Sequence, residues 1–491
     1  MDRLMRDTSV ENLLAHGSLA AIGGELRARR LSVADMVAWY LARIAAFDRA
    51  GPALNAVRTL NPQALDAAKQ ADAELAKGND RGPLHGIPIL LKDNILTADG
   101  MIASAGAAAL KDFLPRREAT LVRRLRAAGA IVLGKTNMTE LADFVSDVMP
   151  SEFSGAGGVV RNPHGMAYGR GQGSSVGSAA SVAAGFAPIA IGSETQNSIQ
   201  TPACYSSVVG LKPSVGLVSR AGIVPLVSSQ DSPGLLARCV EDAALVAVAI
   251  AGADTRDTAT LAHWHTCDHG RDQGRVDSVA GIRIGVPRRC IADRAEMSAV
   301  LPLLEDVLSR LSRAGARIID PCDLPSAEQL NDVRSCVFRT EFKAALNDFL
   351  EAHDSPCGIT SMDALVTWNE RHPEAIPYGQ SLLLAANKTM GLDDPDYVAD
   401  RRRDITLSRT AGIDAALAMS GADVLIAPMG SAAKCTGKAG APAIAIPAGL
   451  DSSGTPFGVV LFTSVGNDRR LIAIAAAVER VIGDRRMPRL A

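Results

Sequence analysis

Apolar positions along the chain follow two periods. Ser32 followed by "VADMVAWYLARIAAF" (33–47) shows helical spacing behind a capping hydroxyl and predicts an amphipathic helix. Asn61-Pro62 opens another, "QALDAAKQADAELAK", which Gly78 closes; proline near the start and glycine past the end suit the two ends of a helix. "GIPILLKDN" (86–94) is apolar and short, as a buried strand would be. A helix, "REATLVRRLRAAG", and a strand, "AIVLGKTN", come next, and then, past a glycine-rich stretch at 155–178, "AASVAAGFAPIAIG", "SVVGLKPS" and the helix "VEDAALVAVAIAG". Residues 254–280 are polar and irregular, and 281–400 read as one strand ("GIRIGVP"), helices and long connections. "DVLIAP", "APAIAIP", "FGVVLFTS" and the helix "RRLIAIAAAVERVIG" restore the buried pattern at the end. Alternation of this kind predicts an α/β fold, a large mixed twisted sheet covered by helices on both faces.

No repeat and no flexible linker divides the chain, so residues 1–491 are expected to form a single domain. Its core is expected at about 60–252 and 405–482, with a helical N-terminal arm at 1–59 and an inserted region covering the substrate at about 253–404. Lys+Arg is 51 against Asp+Glu 53, and aromatics are only 4%; both argue against a nucleic-acid surface. Apolar runs are broken by Gly, Pro or charge before the ~18 residues a membrane span needs, and the N-terminus lacks a secretory apolar region. The eight cysteines form no CxxC pair, which reads as reduced thiols and a cytoplasmic address.

Three motifs compete for "GRGQGSSVGS" (169–178). The lysine of a phosphate-binding loop is missing, and "GQGSSV" ends in Val176 where a dinucleotide fingerprint needs glycine. Gly173-Ser174-Ser175-Val176-Gly177 matches the GxSxG nucleophile elbow, but no strand leads into it and no histidine lies in the C-terminal strand region. Tight packing of small residues is the plain alternative.

The whole stretch "GRGQGSSVGSAASVAAGFAPIAIGSETQNSIQTPACYSSVVGLKPSVGLVSRAGIVPL" resembles the signature region of the amidase signature family. "GPLHGIPILLKDNI", "ATLVRRLRAAGAIVLGKTNMTELA", "APAIAIPAG" and "GTPFGVVLF" agree with it. The resemblance implies a Ser–Ser–Lys triad: Ser198 as nucleophile, Ser174 as bridge, Lys92 as base. It also implies an oxyanion hole from the backbone of Thr195, Gln196, Asn197 and Ser198, and no metal or organic cofactor. The chemistry requires a neutral lysine. At a free pKa of ~10.4, roughly one lysine in two thousand is neutral at pH 7. Burial supplies the needed shift, and Lys92 ends the apolar run "GIPILL". A surface ion pair with Asp93 is the plain reading of the same residue.

The chain departs from the family pattern at three places. Gln196-Asn197 replaces a glycine pair, Gln200 replaces an arginine that would pair with Glu194, and Val176 replaces a glycine. Gln196 and Asn197 are expected to tune substrate choice. Phe144, Val145, Met149 and Ser175 are expected to bind substrate. "HWHTCDH" (His263, His265, Cys267, His269) has a spacing unsuited to a closed zinc site. The implied activity is cleavage of the C–N bond of small or aryl carboxamides. The alternatives are carbamate (urethane) or aryl ester hydrolysis, a glutaminase-type amidotransferase subunit, or an inactive binding protein. The implied partner is a small amide or carbamate, with no nucleic acid and no membrane; a homodimer is left open.

Overall fold

A computed structural model describes residues 8–266, 276–291, 295–353 and 358–490. Its strands are β1 (Val57–Leu60), β2 (Pro88–Lys92), β3 (Ile131–Thr136), β4 (Phe153–Ser154), β5 (Gly158–Val159), β6 (Ile189–Glu194), β7 (Val209–Lys212), β8 (Ser232–Ala237), β9 (Arg283–Gly285), β10 (Arg317–Ile319), β11 (Val424–Pro428), β12 (Ala443–Leu450) and β13 (Pro456–Phe462). Among the described residues, eleven of these form one sheet in the order β1-β3-β2-β6-β8-β7-β12-β13-β11-β9-β10, and β4 and β5 pair separately. The sheet is mixed. β2 runs parallel to both neighbours, β3 and β6, whereas β8, β7, β12 and β13 follow one another antiparallel.

Every residue of β2, β3, β11 and β13 is buried. Successive side chains point to opposite faces, so both faces must be covered. Helix Val176–Ala183, itself buried throughout, packs on β2, β6 and β8. Val240–Ile250 packs on β7 and β8, and Asp468–Ile482 on β12. The N-terminal helices are tied in by polar clasps. Tyr40 donates to the Leu14 carbonyl at 2.6 Å, and Arg238 donates to the carbonyls of Leu14 and Gly17.

The region expected only to cover the core also extends it. β9 and β10 lie at the sheet edge beside β11. β10 is three residues long, with an exposed-to-half-buried pattern that carries no periodic signal. Other helices of the region build a separate layer. Helices Val337–Ala352, Met362–Arg371 and Ser381–Asn387 contribute to a second hydrophobic cluster with Leu96, Met138, Leu141 and Leu226. Leu96 and Met138 follow the C-terminal ends of the parallel strands β2 and β3, so this cluster sits over the edge where open α/β sheets place their sites.

Phe342 is fully buried in that cluster, and its ring meets Phe144 edge-to-face at 5.6 Å. Phe342→Ala is expected to cost about 3–5 kcal/mol of stability, read by denaturant unfolding.

Candidate active site

Lys92 is the last residue of β2, and β6 runs parallel beside it. That adjacency sets the lysine amine against the end of β6, where it meets the Ser193 hydroxyl at 3.0 Å and the Ser193 carbonyl at 3.2 Å. The chain then turns through residues 195–198 to helix Gln200–Tyr205. Ser174 and Ser175 arrive from the loop before helix Val176–Ala183. The Lys92 amine lies 2.7 Å from Ser174 Oγ and 3.0 Å from Ser175 Oγ, and Ser174 Oγ lies 2.9 Å from Ser198 Oγ. Lys92, Ser174 and Ser198 thus form one hydrogen-bonded chain, with all three buried.

Lys92 forms no ion pair among the described residues. Asp93 faces away; its carboxylate accepts from the backbone of Ser104 at 3.1 Å and of Gly106 at 3.3 Å. Burial pushes the Lys92 ammonium down to about 7, while the carboxylates of Asp231, Glu194 and Asp143 act in the opposite direction. Lys135 and Lys212 are also fully buried, and burial lowers each to about 8. They donate to backbone carbonyls, Lys135 to Ile95 and Lys212 to Ala441. Only Lys92 of these three meets serine hydroxyls.

The turn at 195–198 is built to leave its amides free. The backbone N–H groups of Thr195, Gln196, Asn197 and Ser198 have no hydrogen-bond acceptor among the described residues. Glu194 supports the turn from below, accepting from the Ile199 and Gln200 amides at 2.6 and 3.0 Å. The Gln200 side chain donates to the other Glu194 oxygen, so a neutral hydrogen bond stands where the family pattern has an ion pair. Asn197 adopts φ +72, a left-handed conformation that asparagine tolerates better than most residues. Its side chain donates to the Gly171 carbonyl at 2.6 Å. Gln196 donates to Gln230 Oε1 at 2.8 Å.

Room for these two larger side chains comes from distant glycines. A Cβ on Gly430 would stand 2.2 Å from Asn197 Oδ1, and one on Gly437 would stand 2.3 Å from Gln196 Cγ. On the other side Gly173, at φ +89, lets the glycine-rich loop lie on the turn; a Cβ there would stand 2.3 Å from the Asn197 carbonyl oxygen.

Ser198 opens on a cavity of about 440 Å³, whose wall includes Asp143, Phe144, Arg170, Phe338 and Lys434. Of the four residues expected to bind substrate, Phe144 lines it. Val145 and Met149 instead turn into the second hydrophobic cluster. They follow a run of three left-handed residues, Leu141, Ala142 and Asp143 (φ 44, 58 and 74), that breaks any regular alternation. Ser175 faces Lys92 and the Ser193 carbonyl rather than the cavity, and it precedes a helix without following a strand, so it is no nucleophile elbow. Sequence reasoning missed Ser193, which meets the Lys92 amine, and Asn94, whose Nδ2 lies 3.0 Å from Ser193 Oγ. It also missed Asp231, which anchors Thr195 through its hydroxyl. His263 and His265 lie in helix Thr258–Thr266, two residues apart and so on different faces; Cys267 and His269 lie outside the described residues.

A serine pair joined to a desolvated lysine, beside a turn of free N–H groups, is the equipment of an acyl-transfer enzyme. Comparison with known proteins narrows that class. The amidase family model matches residues 35–439, and the chain belongs to that family, the amidase signature enzymes. It is similar over 96% of its length to the structure of the native peptide amidase from Stenotrophomonas maltophilia, at 40% identity and TM-score 0.89, covering 98% of that chain. It is 34% identical to a probable amidase of Arabidopsis thaliana, across 94% of this chain and 89% of the relative. It is 32% identical to a glutamyl-tRNA(Gln) amidotransferase subunit of Ralstonia nicotianae, across 94% of this chain and 97% of the relative. The protein is an amide-hydrolysing enzyme. No helix among the described residues is long and apolar enough to cross a membrane.

Gly173→Ala tests the close approach at the turn. The variant is expected to fold with a shifted loop and to lose amide hydrolysis by about 100-fold or more, since an ångström of misplacement costs about that much. Steady-state kinetics beside a thermal melt checks this.

Proposed function

We propose that the chain is a stand-alone amidase that hydrolyses carboxamides of peptides and of small or aryl acids through an acyl-enzyme on Ser198. The observation that carries this reading is the continuous chain Lys92–Ser174–Ser198 at a cavity sized for a small ligand, beside the free amides of residues 195–198. In the reaction, neutral Lys92 accepts the Ser174 hydroxyl proton while Ser174 accepts that of Ser198. The Ser198 oxygen attacks the amide carbon, and the N–H groups of residues 195–198 hold the oxyanion. The proton returns through Ser174 to the leaving nitrogen as the C–N bond breaks. Water then enters and repeats the transfers in deacylation. Ser175 and Ser193 aim the amine without taking part in bond changes.

The extended likeness to a peptide amidase supports peptide carboxamides as one substrate class. Carbamates and aryl esters pass through the same acyl step and form the near alternative. Likeness to an amidotransferase subunit supports a second reading, in which the chain releases ammonia from glutamine for a partner. Hydrolysis of peptide or aryl amides by the purified single chain, with glutamine turned over no faster, decides for the first reading.

Three variants test the roles. Ser198→Ala and Lys92→Met are each expected to lower kcat by about 10³-fold or more, and Ser174→Ala by a comparable factor. In the wild type, kcat/KM is expected to rise with pH through about 7, as Lys92 loses its proton.

The same lysine ties stability to pH. The unfolded chain binds a proton at Lys92 up to about its ordinary 10.5, the folded chain only up to about 7, so this group makes stability rise with pH across that window. The shift corresponds to roughly 5 kcal/mol against the charged form. Lys92→Met is therefore expected to raise the melting temperature at pH 7 while abolishing activity, and to flatten the pH dependence of melting above pH 7.

A further inference from the structure

The cavity wall carries a carboxyl group for which the acyl-transfer cycle has no use. Asp143 closes the left-handed run Leu141–Ala142–Asp143, a conformation that non-glycine residues rarely adopt. The fold holds the run in place: the Leu141 amide donates to the Ala105 carbonyl at 2.9 Å, and the Ala142 amide to that of Thr139 at 3.2 Å. One carboxyl oxygen is fixed, since Ser151 donates to Asp143 Oδ2 at 2.9 Å while its own hydroxyl oxygen accepts from the Gln172 amide at 3.0 Å. The other oxygen, Oδ1, has no hydrogen-bond partner among the described residues, and it is not among the atoms sealed from solvent. Asp143 lines the same cavity as Ser198.

The charged groups around it leave that oxygen unclaimed. Arg170 donates through Nη2 to the Asp147 carbonyl and Lys92 donates to its serines, and neither hydrogen-bonds Asp143. Glu152 adds a second negative charge nearby. Burial raises the Asp143 carboxyl to about 7, against the pull of Ser151, Lys92 and Arg170. A carboxyl poised in this way, with one fixed oxygen and one free, is a preformed acceptor for an N–H donor, and it rewards a cation most.

Resting on Ser198 as the nucleophile of this cavity, we propose that Asp143 is a specificity-determining residue that binds a cationic amino group on the acyl part of the substrate. Amides of amino-bearing acids are then preferred over their uncharged counterparts.

The test compares 5-aminopentanamide with pentanamide on the wild type and on Asp143→Asn, which keeps the size and the Ser151 contact but removes the charge. The ratio of the two kcat/KM values cancels the titration of Lys92, which both substrates share. In the wild type that ratio is expected to favour the ammonium substrate and to rise with pH through about 7. In Asp143→Asn it is expected to fall about tenfold or more, through KM, and to lose its pH dependence. An equal effect of the variant on both substrates, or a wild type that prefers pentanamide, overturns the proposal. Protection of Ser198 from a fluorophosphonate by pentan-1-amine reads the same interaction without turnover; protection of wild type but not of Asp143→Asn is expected, and equal protection of both overturns it. Ser198→Ala assayed alongside separates the two readings: hydrolysis that survives it refutes the nucleophile, whereas a selectivity unmoved by Asp143→Asn refutes only the role of the carboxyl.

Discussion

An amine is held in this fold where water cannot reach it and no carboxylate touches it. Lys92 is wholly buried, and the atoms around its amine are hydroxyl and carbonyl oxygens from Ser174, Ser175 and Ser193. These partners are neutral, so they satisfy the amine without restoring its charge. Desolvation then decides the protonation state near pH 7, and the negative charges of Asp231, Glu194 and Asp143 only temper it. Much of the surrounding architecture serves this arrangement. Parallel pairing of β2 with β6 brings lysine and Ser193 together, and helix Val176–Ala183 brings the two serines from above. Keeping this amine out of water costs stability while its charged form is disfavoured near neutral pH.

The turn at 195–198 shows how a departure from a family pattern can be absorbed by compensation elsewhere. Gln196 and Asn197 occupy space where the family pattern has no side chains. Gly430 and Gly437, more than two hundred residues away in sequence, give that space back. Asn197 supplies the left-handed backbone that glycine would have supplied, and its amide ties the turn to Gly171 at the cavity rim. Gln200 holds Glu194 without a charge, so the carboxylate still receives the two backbone amides that fix the turn. The outcome is a polar strut between this turn and the glycine-rich loop.

Much of the site was legible in the chain because its parts lie in segments with strong local signals. Lys92 ends an apolar run, Ser174 shortly precedes a helix of small residues, and Ser198 follows a buried strand; the family pattern joined the three. Ser193, Asn94 and Asp231 were not legible, because only the lateral order of β2, β6 and β8 makes them neighbours. Val145 and Met149 were placed on the cavity wall by position, and the left-handed run before them turned them inward. The alternating strands and helices of the core carried the fold class. β10 escaped notice because three half-exposed residues at a sheet edge carry no period.

Labelling with a fluorophosphonate across a pH series, read by intact mass and peptide mapping on the wild type and on Lys92→Ala, tests the central claim most directly. A neutral lysine acting through Ser174 predicts a single adduct on Ser198, formed at a rate that rises with pH through about 7 and that is lost in the Lys92→Ala variant. An adduct on Ser175, or labelling of Ser198 that is indifferent to both pH and Lys92, would contradict it.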